Sequence, residues 1–126
     1  LIKLLTSRIL INSYMAYSET ILTTQTHPGD SSSVTVTGSQ FKGDGFYGRS
    51  DGIHTVQYDY SSYIGTTVIQ GTLAKSPAEA DWFDVLTTTE NSTTGAKIQN
   101  FTGNYVWVRA KITYTNGSVT SIRLNH

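Results

Sequence analysis

After Met15 the chain alternates apolar and polar positions in short runs separated by turn-forming residues, and it shows no amphipathic helix. Ile21, Leu22, Thr23 and Thr24 form a short candidate strand that ends before His27-Pro28-Gly29-Asp30, whose residue types favour a turn. Residues 34–37 alternate cleanly, and a loop with four glycines from Gly43 to Gly52 follows. Over residues 53–60, Val56, Tyr58 and Tyr60 share one face, with Thr55, Gln57 and Asp59 on the other. Gly65 precedes a further run, residues 66–73. Residues 77–80 are the one helix-friendly stretch and suffice for a single turn. Residues 87–95 are polar and predict a loop at the end of the sheet. Between residues 104 and 114, Val106, Val108, Ala110 and Ile112 face one way, opposite Tyr105, Trp107, Arg109 and Lys111. Asn116-Gly117 matches a two-residue type I′ turn, so the chain is expected to return as a hairpin through residues 119–124.

This pattern predicts an all-β fold: an antiparallel β-sandwich or jelly-roll-like domain of seven to eight short strands. The domain is expected to span residues 15–126. Residues 1–14 read differently, with apolar residues at 1, 2, 4, 5 and 9–11 split by Lys3 and Arg8. That run is too short for a membrane helix and lacks a small-residue cleavage site. It is an N-terminal extension upstream of a start at Met15, or an arm that packs on a neighbouring subunit.

Composition supports the β assignment. Thr (20) and Ser (14) exceed a quarter of the 126 residues, and eight are Tyr. Only 14% are charged and the formal net charge is zero, so neither nucleic acid nor a membrane surface is an expected partner. The chain has no Cys, so no disulfide framework or thiolate metal site is available to it.

Two catalytic-looking motifs fall in the glycine loop. Gly43-Asp44-Gly45-Phe46-Tyr47-Gly48 matches G-x-G-x-x-G, but a dinucleotide site needs a helix to follow the glycines, and here a strand follows. Gly48-Arg49-Ser50-Asp51-Gly52 matches the G-x-S-x-G nucleophile elbow, but no helix follows Ser50, and of the later histidines His54 is too close for the usual order and His126 is the last residue. Ser50 is therefore expected to be replaceable without loss of function. His27, His54 and His126 lack ligand-like spacing, and the Asp residues fit no EF-hand loop. No catalytic residue, metal or cofactor is assigned.

The aromatics say more. Ten large rings between Phe46 and Trp107 are too many for one small core. Tyr105 and Trp107 lie opposite the apolar stripe, beside Arg109 and Lys111. They form either an outward strip suited to a protein interface or a sugar, or a face covered by a loop. Together with Phe46, Tyr47 and Arg49, these four are the candidate interface.

The run from Gly43 through Gln57 resembles a segment of small virion structural proteins from tailed phages, especially phages of marine cyanobacteria. Residues 70–74, Asp81-Trp82-Phe83-Asp84, residues 100–110 and the ending Ile122-Arg123-Leu124-Asn125-His126 share that resemblance, which covers about residues 15–126. It implies a non-enzymatic particle component located in the virion, decorating or cementing the capsid or attached to neck or tail. Other virion proteins are then its partners, with repeated copies as a homo-oligomer. The alternative is a carbohydrate-binding module of an adsorption structure, with a glycan as partner.

Overall fold

A computed structural model describes residues 18–49 and 51–126. The proposed extension at residues 1–14, the start at Met15 and Ser50 lie outside the described residues. Three long strands dominate: β5 (Ile53–Thr72), β6 (Phe83–Thr102) and β7 (Trp107–Asn125). Four short ones precede them: β1 (Glu19–Leu22), β2 (Gln25–Thr26), β3 (Val34–Thr37) and β4 (Phe41–Lys42). All seven belong to one antiparallel sheet. β5 is central, β6 flanks it on one side and β7 on the other. β1, β2, β3 and β4 pair one after another along the far edge of β7, from Leu124 down to Trp107. Among the described residues no helix is long and apolar enough to cross a membrane.

The sheet folds over on itself. Ile53 pairs with Thr102 and Thr72 with Trp107, so residues 103–106 must join partners of the two ends of β5. Five residue steps span at most roughly 18 Å, whereas a straight strand of this length would run roughly 65 Å. The crease lies where register shifts cluster, between Asp59 and Gly65 of β5. Positive-φ residues gather there on all three long strands: Ser62 (φ 49°) on β5, Ser92 (φ 58°) and Gly95 (φ 115°) on β6, and Gly117 (φ 83°) on β7. Extra residues and positive φ values are what bend and twist a strand pair. The two halves then close on a single core, containing Val56, Tyr58, Tyr60, Tyr63 and Ile69 of β5 with Val108, Ala110, Ile112, Val119, Ile122 and Leu124 of β7. The all-β, sandwich-like class is thus the observed one.

Three local expectations change. Asn116-Gly117 is not a hairpin turn. Residues on both sides of it pair with β5, Ser118 with Ser61 and Tyr114 with Gly65, so Gly117 serves a bulge in one continuous strand. Residues 87–95 are strand, because the Thr-rich stretch pairs by backbone with β5 and needs no apolar stripe at a sheet edge. Gly65 does not interrupt β5. It lies inside the strand because a Cβ there would come 2.5 Å from the Tyr114 Cβ.

Candidate functional site

At the end of the fold remote from the crease, the glycine loop meets the 103–106 crossing. Asp44–Tyr47 is a 3₁₀ turn closed by Gly48 in the left-handed region (φ 73°). The Gly43 amide donates to the Val106 carbonyl (3.0 Å) and the Gly45 amide to the Tyr105 carbonyl (2.9 Å). A Cβ at Gly43 would lie 2.3 Å from the Tyr105 oxygen, and one at Gly45 would lie 2.1 Å from the Asn104 oxygen. The glycines of the G-x-G-x-x-G motif therefore serve backbone approach and a turn, and they open a four-residue 3₁₀ turn in place of a phosphate-binding helix.

This docking holds Phe46 and Tyr47 outward, at 43% and 48% exposure. Their rings meet edge-on at 5.5 Å, and Phe46 lies 5.1 Å from the half-buried Trp107. The Trp107 indole N–H donates to the Lys75 carbonyl (2.9 Å), fixing the ring. A cation covers one face of each exposed ring: Lys42 Nζ stands 4.7 Å from the Phe46 centroid, and the Arg49 guanidinium 4.5 Å from that of Tyr47. A cleft of about 280 Å³ lined by Gly45, Phe46, Lys75 and Val106 opens beside them.

The other candidates lie elsewhere. Arg109 is 7% exposed under residues 73–82. It donates to Gln70 Oε1 (2.8 Å) and to both oxygens of Glu79 (3.3 and 2.6 Å), and it lies 4.3 Å over the Trp82 ring. A covering loop, one of the two readings of this face, therefore accounts for Arg109. Lys111 is half-buried where β7 pairs with β3. Tyr105 fills a slot between two glycines, since a Cβ at Gly71 or Gly103 would sit 2.6 or 2.2 Å from its ring. Phe46, Tyr47, Arg49 and Trp107 are thus brought together, while Tyr105 lies in its slot, Arg109 under its cover and Lys111 farther along β7.

Beneath the rim lies a cluster that the sequence reading missed. Asp44, His54 and His126 each place one donor atom within 4.8 Å of the others. His126 Nδ1 donates to Asp44 Oδ1 (2.7 Å), and Arg49 donates to the same oxygen (3.2 Å). His54 stacks on Phe101 at 4.6 Å, and its Nδ1 donates to the Gly52 carbonyl (2.9 Å). Burial would raise the Asp44 carboxyl, but interactions led by the hydrogen bond from His126 leave it below its ordinary value. Burial lowers His54, against the pull of the Gly52 carbonyl and Asp44, so its ring stays neutral at neutral pH. One signal was available: His54 has the same parity as Val56, Tyr58 and Tyr60, and so belongs to the buried face.

The fold defines a class: an all-β domain made from one antiparallel sheet folded into a sandwich. No protein-family model and no curated protein matches the chain. Among solved structures it is similar to the SPBc2 prophage-derived protein YomS, at 15% identity and TM-score 0.55, covering 86% of this chain and 89% of that one. Weaker likenesses include chitosan-binding module 2 of a Paenibacillus sp. IK-5 chitosanase/glucanase (14% identity, TM-score 0.46, 87% and 94% covered). Another is the C-terminal CBM6 of LamC from Zobellia galactanivorans (11%, 0.44, 90% and 94%). At these identities the likeness to YomS concerns the fold alone, and the weaker two carry no argument.

Proposed function

We propose that this domain is a non-enzymatic component of a tailed-phage particle, present there in repeated copies, that docks on other particle proteins through Phe46, Tyr47, Arg49 and Trp107. The observation that carries this reading is the rim itself. Two large rings, each nearly half exposed, are presented on a turn held by backbone hydrogen bonds, with an arginine and a lysine packed on them. Aromatic and Arg anchors at a rigid site are what protein interfaces use for most of their affinity. The sequence resemblance to virion structural proteins supports the phage setting, and the fold shared with a prophage-derived protein agrees with it. Capsid decoration is the preferred placement, with neck or tail attachment next.

A glycan fits the rim less well. Stacking a sugar needs a free, flat ring face. Lys42 and Arg49 cover one face of Phe46 and of Tyr47, and Trp107 is tilted 57° to Phe46. An apolar protein surface bearing carboxylates suits both the rings and their cations. The test is incorporation into assembling particles. A Phe46→Ser/Tyr47→Ser double variant should enter at a small fraction of the wild-type level. Ile98→Ser, which alters another exposed apolar residue in β6, should enter normally. Equal incorporation of both would overturn the docking role. Sugar binding on a glycan array that disappears in Trp107→Ala would put the carbohydrate reading first.

A further inference from the structure

We propose that Asp44, His54 and His126 form a binding site for one divalent transition metal ion of the Zn²⁺ class. Three donors from sequence-remote segments converge: the glycine loop, the start of β5 and the residue after β7. Two imidazoles and a carboxylate with an open fourth position are a donor set for zinc-like ions, and too rich in nitrogen for Mg²⁺ or Ca²⁺.

A second observation points to a ligand. His54 Nε2 and His126 Nε2 are both buried with no hydrogen-bond partner, on side chains at most 3% exposed. Native proteins rarely leave such atoms unsatisfied. The opposite ring nitrogens are already engaged. His54 Nδ1–H bonds the Gly52 carbonyl, so its buried Nε2 carries a free lone pair. His126 Nδ1 already faces Asp44 Oδ1 at 2.7 Å, and these two atoms hold the ion together once it displaces the Nδ1 proton, leaving Nε2–H on the side of Glu19. A backbone carbonyl behind the ring, as Gly52 stands behind His54, is a usual support of a metal-ligating histidine. The donors stand within 4.8 Å of one another, and tetrahedral coordination at bonds of ~2.0–2.1 Å asks for small side-chain rotations that bring them to roughly 3.3 Å.

Arg49 competes for the site. Its guanidinium lies 3.2 Å from Asp44 Oδ1 and 3.3 Å from His126 Nδ1 with its side chain 47% exposed, so an ion entering between these atoms must displace it. The Glu19 carboxylate, 3.9 Å from His126 Nε2, adds negative charge on the other side.

The experiment titrates the full chain, prepared without a polyhistidine tag and stripped with chelator, with ZnCl₂ by calorimetry and with CoCl₂ by visible absorption. One ion per chain is expected, with a cobalt spectrum of nitrogen and oxygen ligands and a raised melting temperature. Asp44→Asn, His54→Gln and His126→Gln should each weaken binding by at least about tenfold. Arg49→Gln should tighten it, because the competing cation is gone. His27→Gln should change nothing, since both nitrogens of that ring already have partners in Ser32 and Gly29. Circular dichroism of each variant separates loss of ligand from loss of fold, and His126→Gln, outside every strand, is the variant least able to disturb folding. Absence of binding to the folded wild type would overturn the proposal. So would binding that survives Asp44→Asn and His126→Gln, or that falls with His27→Gln.

Discussion

The hydroxyls of Tyr60 and Thr67 share a hydrogen bond at 2.9 Å although they stand seven positions apart in one strand. In a straight strand they would be separated by roughly 23 Å. The bond therefore reports the crease that turns one sheet into two facing layers. Tyr60→Phe deletes it while leaving the ring packed. Thr67 keeps a 3.3 Å contact to the Tyr63 hydroxyl, so the expected loss is about 1 kcal/mol. Urea unfolding should show a lower midpoint with an unchanged slope. No change in midpoint would mean that the two layers do not meet at this bond.

The slot for Tyr105 yields a coupled prediction. Gly71→Ala drives a methyl into the ring and is expected to destabilise by about 1–3 kcal/mol. In a Tyr105→Ala background the same substitution should cost far less, so the two changes should not add. Additive losses in chemical denaturation would show that the ring does not occupy the slot.

At Gly117 the backbone is left-handed, and a Cβ would meet the Ser62 carbonyl at 2.1 Å. Gly117→Ala is expected to cost about 1–3 kcal/mol. A hairpin would also suffer from this change, so amide NMR supplies the distinction. Contacts should run from Ser118 to Ser61 and from Tyr114 to Gly65. Direct pairing of Tyr114 with Val119 would restore the hairpin.

Much of the sheet was legible because alternation reports faces. Val56, Tyr58 and Tyr60, and Val108, Ala110 and Ile112, are buried as their parity requires. What alternation does not report is the partner. Asn116-Gly117 carries the same signal whether its positive φ closes a hairpin or relaxes a bulge, and only the pairing with β5 decides. Residues 87–95 lacked an apolar stripe because β6 lies at the sheet edge. Arg109 read as outward because its cover, Glu79 and Trp82, lies thirty and twenty-seven positions away, in a loop without a pattern. The meeting of Asp44, His54 and His126 needed the three-dimensional fold, although the parity of His54 already placed it inside.

Glu90, in the middle of that polar stretch, gives stability a pH dependence. Burial would raise its carboxyl, but hydrogen bonds from Lys97 and Thr93, with the lysine's charge, hold it below its ordinary value of 4.5. As pH falls below that value the unfolded chain takes up a proton that the folded chain still refuses, so stability declines. The contribution is full above the unfolded value and gone below the folded one. Asp44, Asp59 and Glu79 are also held low and act in the same direction. Glu90→Gln should therefore flatten the wild-type decline only in part, as measured by urea midpoints from about pH 6 to about pH 3. An unaltered profile would show that Glu90 is not held by these partners.

In the proposed role, Phe46, Tyr47, Arg49 and Trp107 dock this domain in a phage particle. Cross-linking mass spectrometry on intact purified particles tests it most directly, because Lys42 and Lys75 flank the rim and carry reactive amines. The chain is expected in many copies per particle, with Lys42 and Lys75 linked to another particle protein and Lys97, on β6, linked far less. Absence of the chain from purified particles, or links spread evenly over all three lysines, would contradict it.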